Sequence, residues 1–490
     1  MILCVAAKTA PAFVIFTVFQ PGRQVFATAP LTARVKLRPS QKGHENTGRC
    51  MRIVAQGLAA DLLKREEAGR PILIGIIGCG EMGTDLVTQV ARMKGLRIAA
   101  IADRRGHGAR EAIRIAGYEA SHGVMVDGLP AMNRAIEAKR IAITDDAQTL
   151  LRSPLIEVVI DATGRPAAGA ELGLATIRQG KHLIMMNVEA DVTIGPYLKH
   201  EADKAGVIYT VGAGDEPTAT MELINFVTAL GYPVIAAGKG KNNPLDIDAV
   251  PDGVREEALS RNMNPRMLVE FIDGSKTMVE MATIANATGL SLDVPGMHGP
   301  AATLETLASV LCPKADGGIL TKKGVVDYTL GKGVAPGVFV VVELDHPRLC
   351  ERMHDLKLGG KGPYYTFYRP HHLTSLEVPL SAARAVLYRQ AEMFPQPRPM
   401  AEVCARAKRD LKPGDMLDAI GETCYRSFAM LADEARVARG WPVGLIDGGR
   451  VIAPIAKGDL ITRDKVMLAQ DTPLMEMRMA METMIWGGPA

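Results

Sequence analysis

Three glycines, Gly78, Gly80 and Gly83, stand in G-x-G-x-x-G spacing between the apolar run Ile72 to Ile77 and a segment of helical periodicity, Thr84 to Met93. Each position answers a physical demand. The first glycine makes a tight turn, the second lets backbone approach a pyrophosphate, and the third lets helix pack on strand. Glu81 and Met82, between the second and third glycines, are expected to bind the cofactor with them, and the N-terminus of the helix that follows attracts the anion. The run "LRIAAIAD" then ends in Asp103, about 20 residues on, where a carboxylate meets a ribose hydroxyl. Strand, glycines, helix, strand and acid in this order predict a nicotinamide-dinucleotide site. Asp103 argues for NAD, whereas Arg104 and Arg105 directly after it can stack on adenine and clasp a 2′-phosphate. These residues leave both forms open.

More chemistry-bearing residues fall where later strands end. "IEVVIDATG" closes at Thr163 and Gly164, "KHLIMMN" at Asn187 with Glu189 close behind, and "GVIYTVGAGDEP" at Asp215 and Glu216. Ligands of a parallel sheet bind outside the carboxyl ends of its strands, so these residues are expected near the reacting carbon, with Thr163, Gly164 and Asn187 on the cofactor. "GKGKNNPLD" places Lys239, Lys241, Asn242 and Asn243 within five residues, read as a glycine-loosened turn after a strand and suited to a phosphate or carboxylate. In "DGSKTMVEMATIANATG" Asp273 or Ser275 can cap a helix, with Lys276 in its first turn and Glu280 at i+4. A first-turn lysine opposes the helix dipole and calls for a nearby anion. The pair His371 and His372 in "RPHH" can send at most one ring into a site and is expected to be structural.

The elements that position these groups define an α/β chain: a Rossmann domain over 51–213, a catalytic and oligomerisation domain over 214–393, and a small β-rich domain with a tail over 394–490. The last follows the proline-rich linker "FPQPRP", and its segments "AKRDLKPGDMLDAIG" and "RVIAPIAKGDLITRDKVML" share one strand-and-turn core. A methionine-rich helix near the C-terminus is expected to pack on a neighbour. Residues 1–50 read as a disordered leader or a mis-called start, with Met51 the working initiator. With 57 basic and 54 acidic residues, a net charge of +3, and seven scattered cysteines without a CxxC pair, neither nucleic acid, a membrane, a disulfide framework nor a zinc knuckle is indicated. A cytoplasmic protein is expected.

"DATG", "MMNVEAD" and "VGAGDEP" resemble the homoserine dehydrogenase superfamily, and "GKGKNNPLD", "FIDGSKTMVEMATIANATGL", "GVVDYTLGKGVAPGVFVVVE" and "GPYYTFYRPHHLTSLEVPLSAARAVLY" resemble its 1-deoxy-D-xylulose 5-phosphate reductoisomerase-like branch. The similarity runs from about Met51 to Met467, and the C-terminal repeats resemble a SAF or β-clip domain. Homoserine dehydrogenase has an Asn-Lys pair where this chain has Asn187 followed by Val188 and Glu189, so plain homoserine oxidation is not expected. The resemblance implies an NADPH-dependent reductoisomerase of isoprenoid biosynthesis acting on a small phosphorylated ketose, or a dehydrogenase of another polyol, sugar acid or hydroxy acid, or a non-catalytic NADP(H) sensor. It further implies a homodimer or homotetramer. In a reductoisomerase, Glu189, Asp215 and Glu216 would hold Mg²⁺ or Mn²⁺, while Lys239, Lys241, Lys276 and Asn242 would bind anions or move protons.

Overall fold

Apolar runs without polar alternation, such as "ILIGII" and "VVID", need cover on both faces, and a parallel sheet between helices supplies it. In the structure, a computed structural model, these runs lie in a seven-stranded all-parallel sheet. The order across it is Gly123–Met125, Ile141–Thr144, Leu96–Ala102, Ile72–Ile77, Val158–Asp161, His182–Met185 and Tyr209–Val211. The order reverses between Leu96–Ala102 and Val158–Asp161 on either side of Ile72–Ile77, which puts a crevice at the glycine turn. The structure describes residues 54–488 except 105, 262, 359–361 and 470, and the backbone of an antiparallel hairpin, Val14–Gln20 with Arg23–Ala29. Met51, the rest of the expected leader, and Arg105 lie outside the described residues.

A second, mixed sheet orders Ser291–Leu292, Val325–Thr329, Val234–Gly240, Val338–Glu343 and Tyr364–Arg369. Its central strand contains Lys239, opposite Tyr328 on one side and Val338 on the other. This differs from the expected loosened turn. Gly238 is not there for freedom: a Cβ at that position would fall 1.6 Å from the Asp327 carbonyl oxygen, so the residue permits a close strand approach. The helices Glu216–Ala229 and Ser275–Thr288 pack against this sheet.

From Ala55 onward the chain is one unit, in which the expected third domain shares its core with the second. Val403, Tyr425 and Ala429 join Met278, Met281 and Ile284 of the Ser275–Thr288 helix in one apolar cluster. The proline-rich segment is no free linker, because Gln396 donates through its backbone N–H to Asn286 O at 2.7 Å and through Nε2 to Ala287 O at 2.8 Å. It thereby satisfies last-turn carbonyls that have no partner inside the helix. The two repeated C-terminal segments pair with each other, Leu411 and Ile455 exchanging N–H to carbonyl bonds of 2.9 and 3.0 Å. The methionine-rich helix, Pro473–Trp486, packs Met475, Met477 and Met481 inward against Pro166–Arg178 and Val188–Ala205. Among the described residues no helix is long and apolar enough to cross a membrane.

Replacing Gly238 by Ala is expected to cost about 3 kcal/mol or more, because backbone on a paired strand cannot yield as a side chain does. The urea midpoint measures it, and an unchanged midpoint would contradict the tight approach.

Candidate active site

The glycine turn has the shape that its spacing predicts. Gly78 has φ +91° with the Ala162 carbonyl 2.7 Å from where a Cβ would sit, and Gly83 brings the helix within 2.5 Å of the Gly78 oxygen by the same measure. Above Gly80 there is open space, and the helix Glu81–Val90 that it caps has no side-chain cap on its first N–H groups. An uncapped, positively polarised helix end beside an open glycine fits a pyrophosphate. Asp103 Oδ2 accepts the Cys79 N–H at 2.8 Å, so this carboxylate braces the turn. Arg104 is exposed beside it. Thr163 and the exposed Gly164 follow Asp161, whose Oδ1 accepts the Thr163 N–H at 3.0 Å. Buried Asn187 caps the helix Val188–Ala205 through Ala190 N–H and donates from Nδ2 to Arg165 O at 2.8 Å, which fixes the turn after Val158–Asp161.

Next to Met82 and the ends of His182–Met185 and Tyr209–Val211 lies a cavity of about 310 Å³ whose lining includes Asp215, Glu216, Lys239, Lys276, Glu280 and His372. Asp215 and Glu216 begin the Glu216–Ala229 helix, where the dipole favours carboxylates. Lys239 reaches Glu216 Oε1 at 2.8 Å and also bonds Glu280, which is fully buried. Lys276 donates to Glu189 Oε1 at 2.9 Å. The dipole-opposing lysine thus has its anion in a carboxylate of the protein, and Glu280 serves Lys239 rather than pairing with Lys276 one turn before it. His372 Nδ1 lies 3.0 Å from Gly214 O, and its Nε2 lies 3.4 Å from Glu216 Oε1. Contrary to the structural role expected of the pair, His372 enters the site while His371 stays exposed.

Five carboxylates, Glu189, Asp215, Glu216, Glu270 and Glu280, here act on two ammonium groups, Lys239 and Lys276. Burial, then the charge of Glu216, pushes Asp215 up to about 7 and Glu280 up to about 8. For Glu216 burial acts upward too, but Lys239 and His372 outweigh it and hold that carboxyl well below its usual range. Burial acts downward on both lysines and is outweighed by Glu216 and Glu280 at Lys239, and by Glu189 and Asp215 at Lys276, so both stay firmly protonated. Ligand atoms of Asp215, Glu216 and His372 all lie within 4.8 Å of one another. Glu189, an expected member of that set, is instead the partner of Lys276.

Lys241 departs furthest from its expected role. Its Nζ donates to Asn243 O at 2.7 Å, Pro244 O at 3.1 Å and Phe271 O at 2.6 Å, which engages all three N–H groups in holding the loop. Burial first, then the charge of Lys239, lowers it to about 8. Asn242 and Asn243 line the mouth of the cavity. Arg261, also lining the cavity, was missed by sequence reasoning because only tertiary contacts bring it there.

Fold and site together define an NAD(P)-dependent oxidoreductase. Residues 78–211 match the family model described as homoserine dehydrogenase, NAD binding domain, and residues 214–378 match that described as oxidoreductase DRL, catalytic domain. The chain is 26% identical over 118 residues to homoserine dehydrogenase from Methylobacillus glycogenes, which is 24% of this chain and spans a quarter (25%) of that protein. It is also similar to scyllo-inositol dehydrogenase from Lactobacillus casei with bound NAD(H) and scyllo-inositol, at 12% identity, 66% of this chain, 91% of that chain and a TM-score of 0.35. A structure of DOX-P reductoisomerase with fosmidomycin and magnesium is similar at 16% identity, 43% of this chain, 56% of that chain and a TM-score of 0.30.

The helix that carries Lys276 is held from the C-terminal segment. Asp273 Oδ1 accepts the Ser275 N–H at 2.8 Å, while Oδ2 lies 2.7 Å from Lys408 Nζ in a pair of 0% and 2% side-chain exposure. Lys408→Met leaves that carboxylate unpaired in the interior and is expected to cost about 3–5 kcal/mol in a urea titration. A loss below about 1 kcal/mol would show that the pair does not anchor the helix.

Proposed function

We propose that this chain transfers a hydride between NADP(H) and a small polyhydroxylated substrate, a polyol, sugar acid or hydroxy acid, bound in the cavity between Asp215 and Lys276. The observation that carries this reading is the donor inventory of Lys276. Its ammonium has three N–H groups and one protein partner, Glu189, which leaves two for a ligand oxygen in a site beside the glycine turn. Donors fixed in a partly dry cavity stabilise the negative charge that grows on a carbonyl oxygen as hydride arrives. Asp215, pushed up to about 7 by burial and Glu216, exchanges the proton with that oxygen in either direction. Lys239, bonded to Glu216 and Glu280, fixes the carboxylates around the substrate. Exposed Arg104 beside Asp103 favours the 2′-phosphate of NADPH.

A polyol fits better than a phosphorylated ketose because every cation lining the cavity already has a protein partner. Lys239 has Glu216 and Glu280, Lys241 three carbonyls, Lys276 Glu189, and Arg261 Glu257. Reductive isomerisation of 1-deoxy-D-xylulose 5-phosphate is the second reading, favoured by the Asp215–Glu216–His372 cluster. Two carboxylate oxygens and an imidazole nitrogen within 4.8 Å of one another fit a divalent cation, which when bound would polarise neighbouring substrate oxygens.

The test is NADPH oxidation and NADP⁺ reduction with polyols, sugar acids, hydroxy acids and the deoxyxylulose phosphate, with and without Mn²⁺. Lys276→Met is expected to lower kcat about 100-fold or more while NADPH fluorescence titrations stay unchanged. NADPH binding without turnover of any of these compounds would sink the proposal. Mn²⁺ is expected to raise the melting temperature of the wild type but not of His372→Gln. An equal rise in both would remove His372 from a cation site.

A further inference from the structure

Arg406 and Arg426 stand directly opposite each other on the antiparallel strands Ala401–Ala407 and Tyr425–Leu431. Like charges in that relation destabilise a strand pair. Both guanidinium groups gather at one ring, 3.9 Å and 5.6 Å from the centre of Phe428. Neither forms an ion pair with a carboxylate of the described residues, and Arg406 Nε is buried without any partner. The single hydrogen bond of Arg426 is a weak one of 3.5 Å to Ser427 O. The two carboxylates whose field reaches Arg426 are engaged elsewhere, Asp273 with Lys408 at 2.7 Å and Asp248 with Lys457 at 2.8 Å. Two guanidinium groups therefore stand without an ion-pair partner among the described residues, oriented by an aromatic face, on a segment that does not line the cavity at Lys276.

We propose that Arg406 and Arg426 form a second binding site, for a doubly charged oxyanion, namely a phosphate group either free or carried by a small metabolite. Paired planar guanidinium groups offer parallel N–H donors that match phosphate oxygens, and a dianion cancels the repulsion between them. The site is independent of the reaction proposed for the cavity.

The test uses the full chain with saturating NADPH, which covers the helix end at Gly80, at constant ionic strength. Inorganic phosphate is titrated by calorimetry and by melting temperature. Binding to the wild type is expected, and at least tenfold weaker binding to Arg406→Gln and to Arg426→Gln. In phosphate-free buffer Arg426→Gln is expected to melt no lower than the wild type, since it relieves a like-charge contact, and only the wild type gains stability with phosphate. Ribose 5-phosphate binding more tightly than phosphate would identify a metabolite as the source, and equal affinity would identify the free ion. Equal phosphate response in wild type and variants, absence of binding, or a lower melting temperature of Arg426→Gln without phosphate would each overturn the proposal.

Discussion

An ammonium group in the middle of a sheet is tolerable only where carboxylates meet it, and Lys239, 5% exposed, is met from two helices. Glu216 comes from the start of one and Glu280 from the second turn of the other, so this three-residue contact sets the distance between both helices and the strand beneath them. Removing Lys239 would leave Glu216 and Glu280 in the interior without the ammonium they share, a state costing several kcal/mol. The interaction therefore defines geometry more than it adds stability. The cavity is the space left beside it, with Asp215 one residue before Glu216 and Lys276 one helical turn before Glu280.

The same helix is gripped at both ends by residues far along the chain. At its start Asp273 joins Lys408, and Ser275 Oγ accepts the Ser427 N–H at 2.9 Å. At its end Asn286 Oδ1 accepts the Ala401 N–H at 2.8 Å. The C-terminal segment thus acts on the site through the helix without reaching the cavity. A second line of contact runs through Arg478, which donates to Thr193 O at 2.9 Å, on the helix that begins beside Glu189. Both lysines of the site consequently depend on partners whose backbones are fixed from outside the parallel sheet.

What could be read from the chain alone divides along the range of the interaction involved. The glycine turn was legible because each of Gly78, Gly80 and Gly83 answers to atoms within a few residues or to the adjoining strand. The alternation of strands and helices to Tyr209–Val211 was legible for the same reason, as were Asp215 and Glu216 at a strand end. Lys239 was misplaced into a turn because glycines on either side signal looseness locally, whereas Gly238 is required by the Asp327 backbone, some ninety residues away. Lys241 looked like a ligand for anions because its three carbonyl acceptors include Phe271 O, which no local pattern reveals. His372 was discounted on local geometry that correctly excluded its neighbour, and the choice between the two rings is made by Gly214 O.

The charge balance of the cavity explains why a site so well supplied with lysines is poor in free cations. Lys239 is needed to keep Glu216 ionised in the interior, and the charges of Glu216 and Glu189 in turn keep Lys239 and Lys276 protonated. Of the remaining acids, Asp215 has no ammonium bonded to it and Glu280 shares Lys239 with Glu216, and burial with the charge of Glu216 drives both toward the neutral form. A site so arranged holds exchangeable protons near neutrality next to fixed N–H donors, which is the pairing that hydride transfer to a carbonyl requires. A dianionic substrate would need to compete with Glu189 for Lys276, whereas a hydroxyl or carbonyl oxygen needs only the two donors that Glu189 leaves.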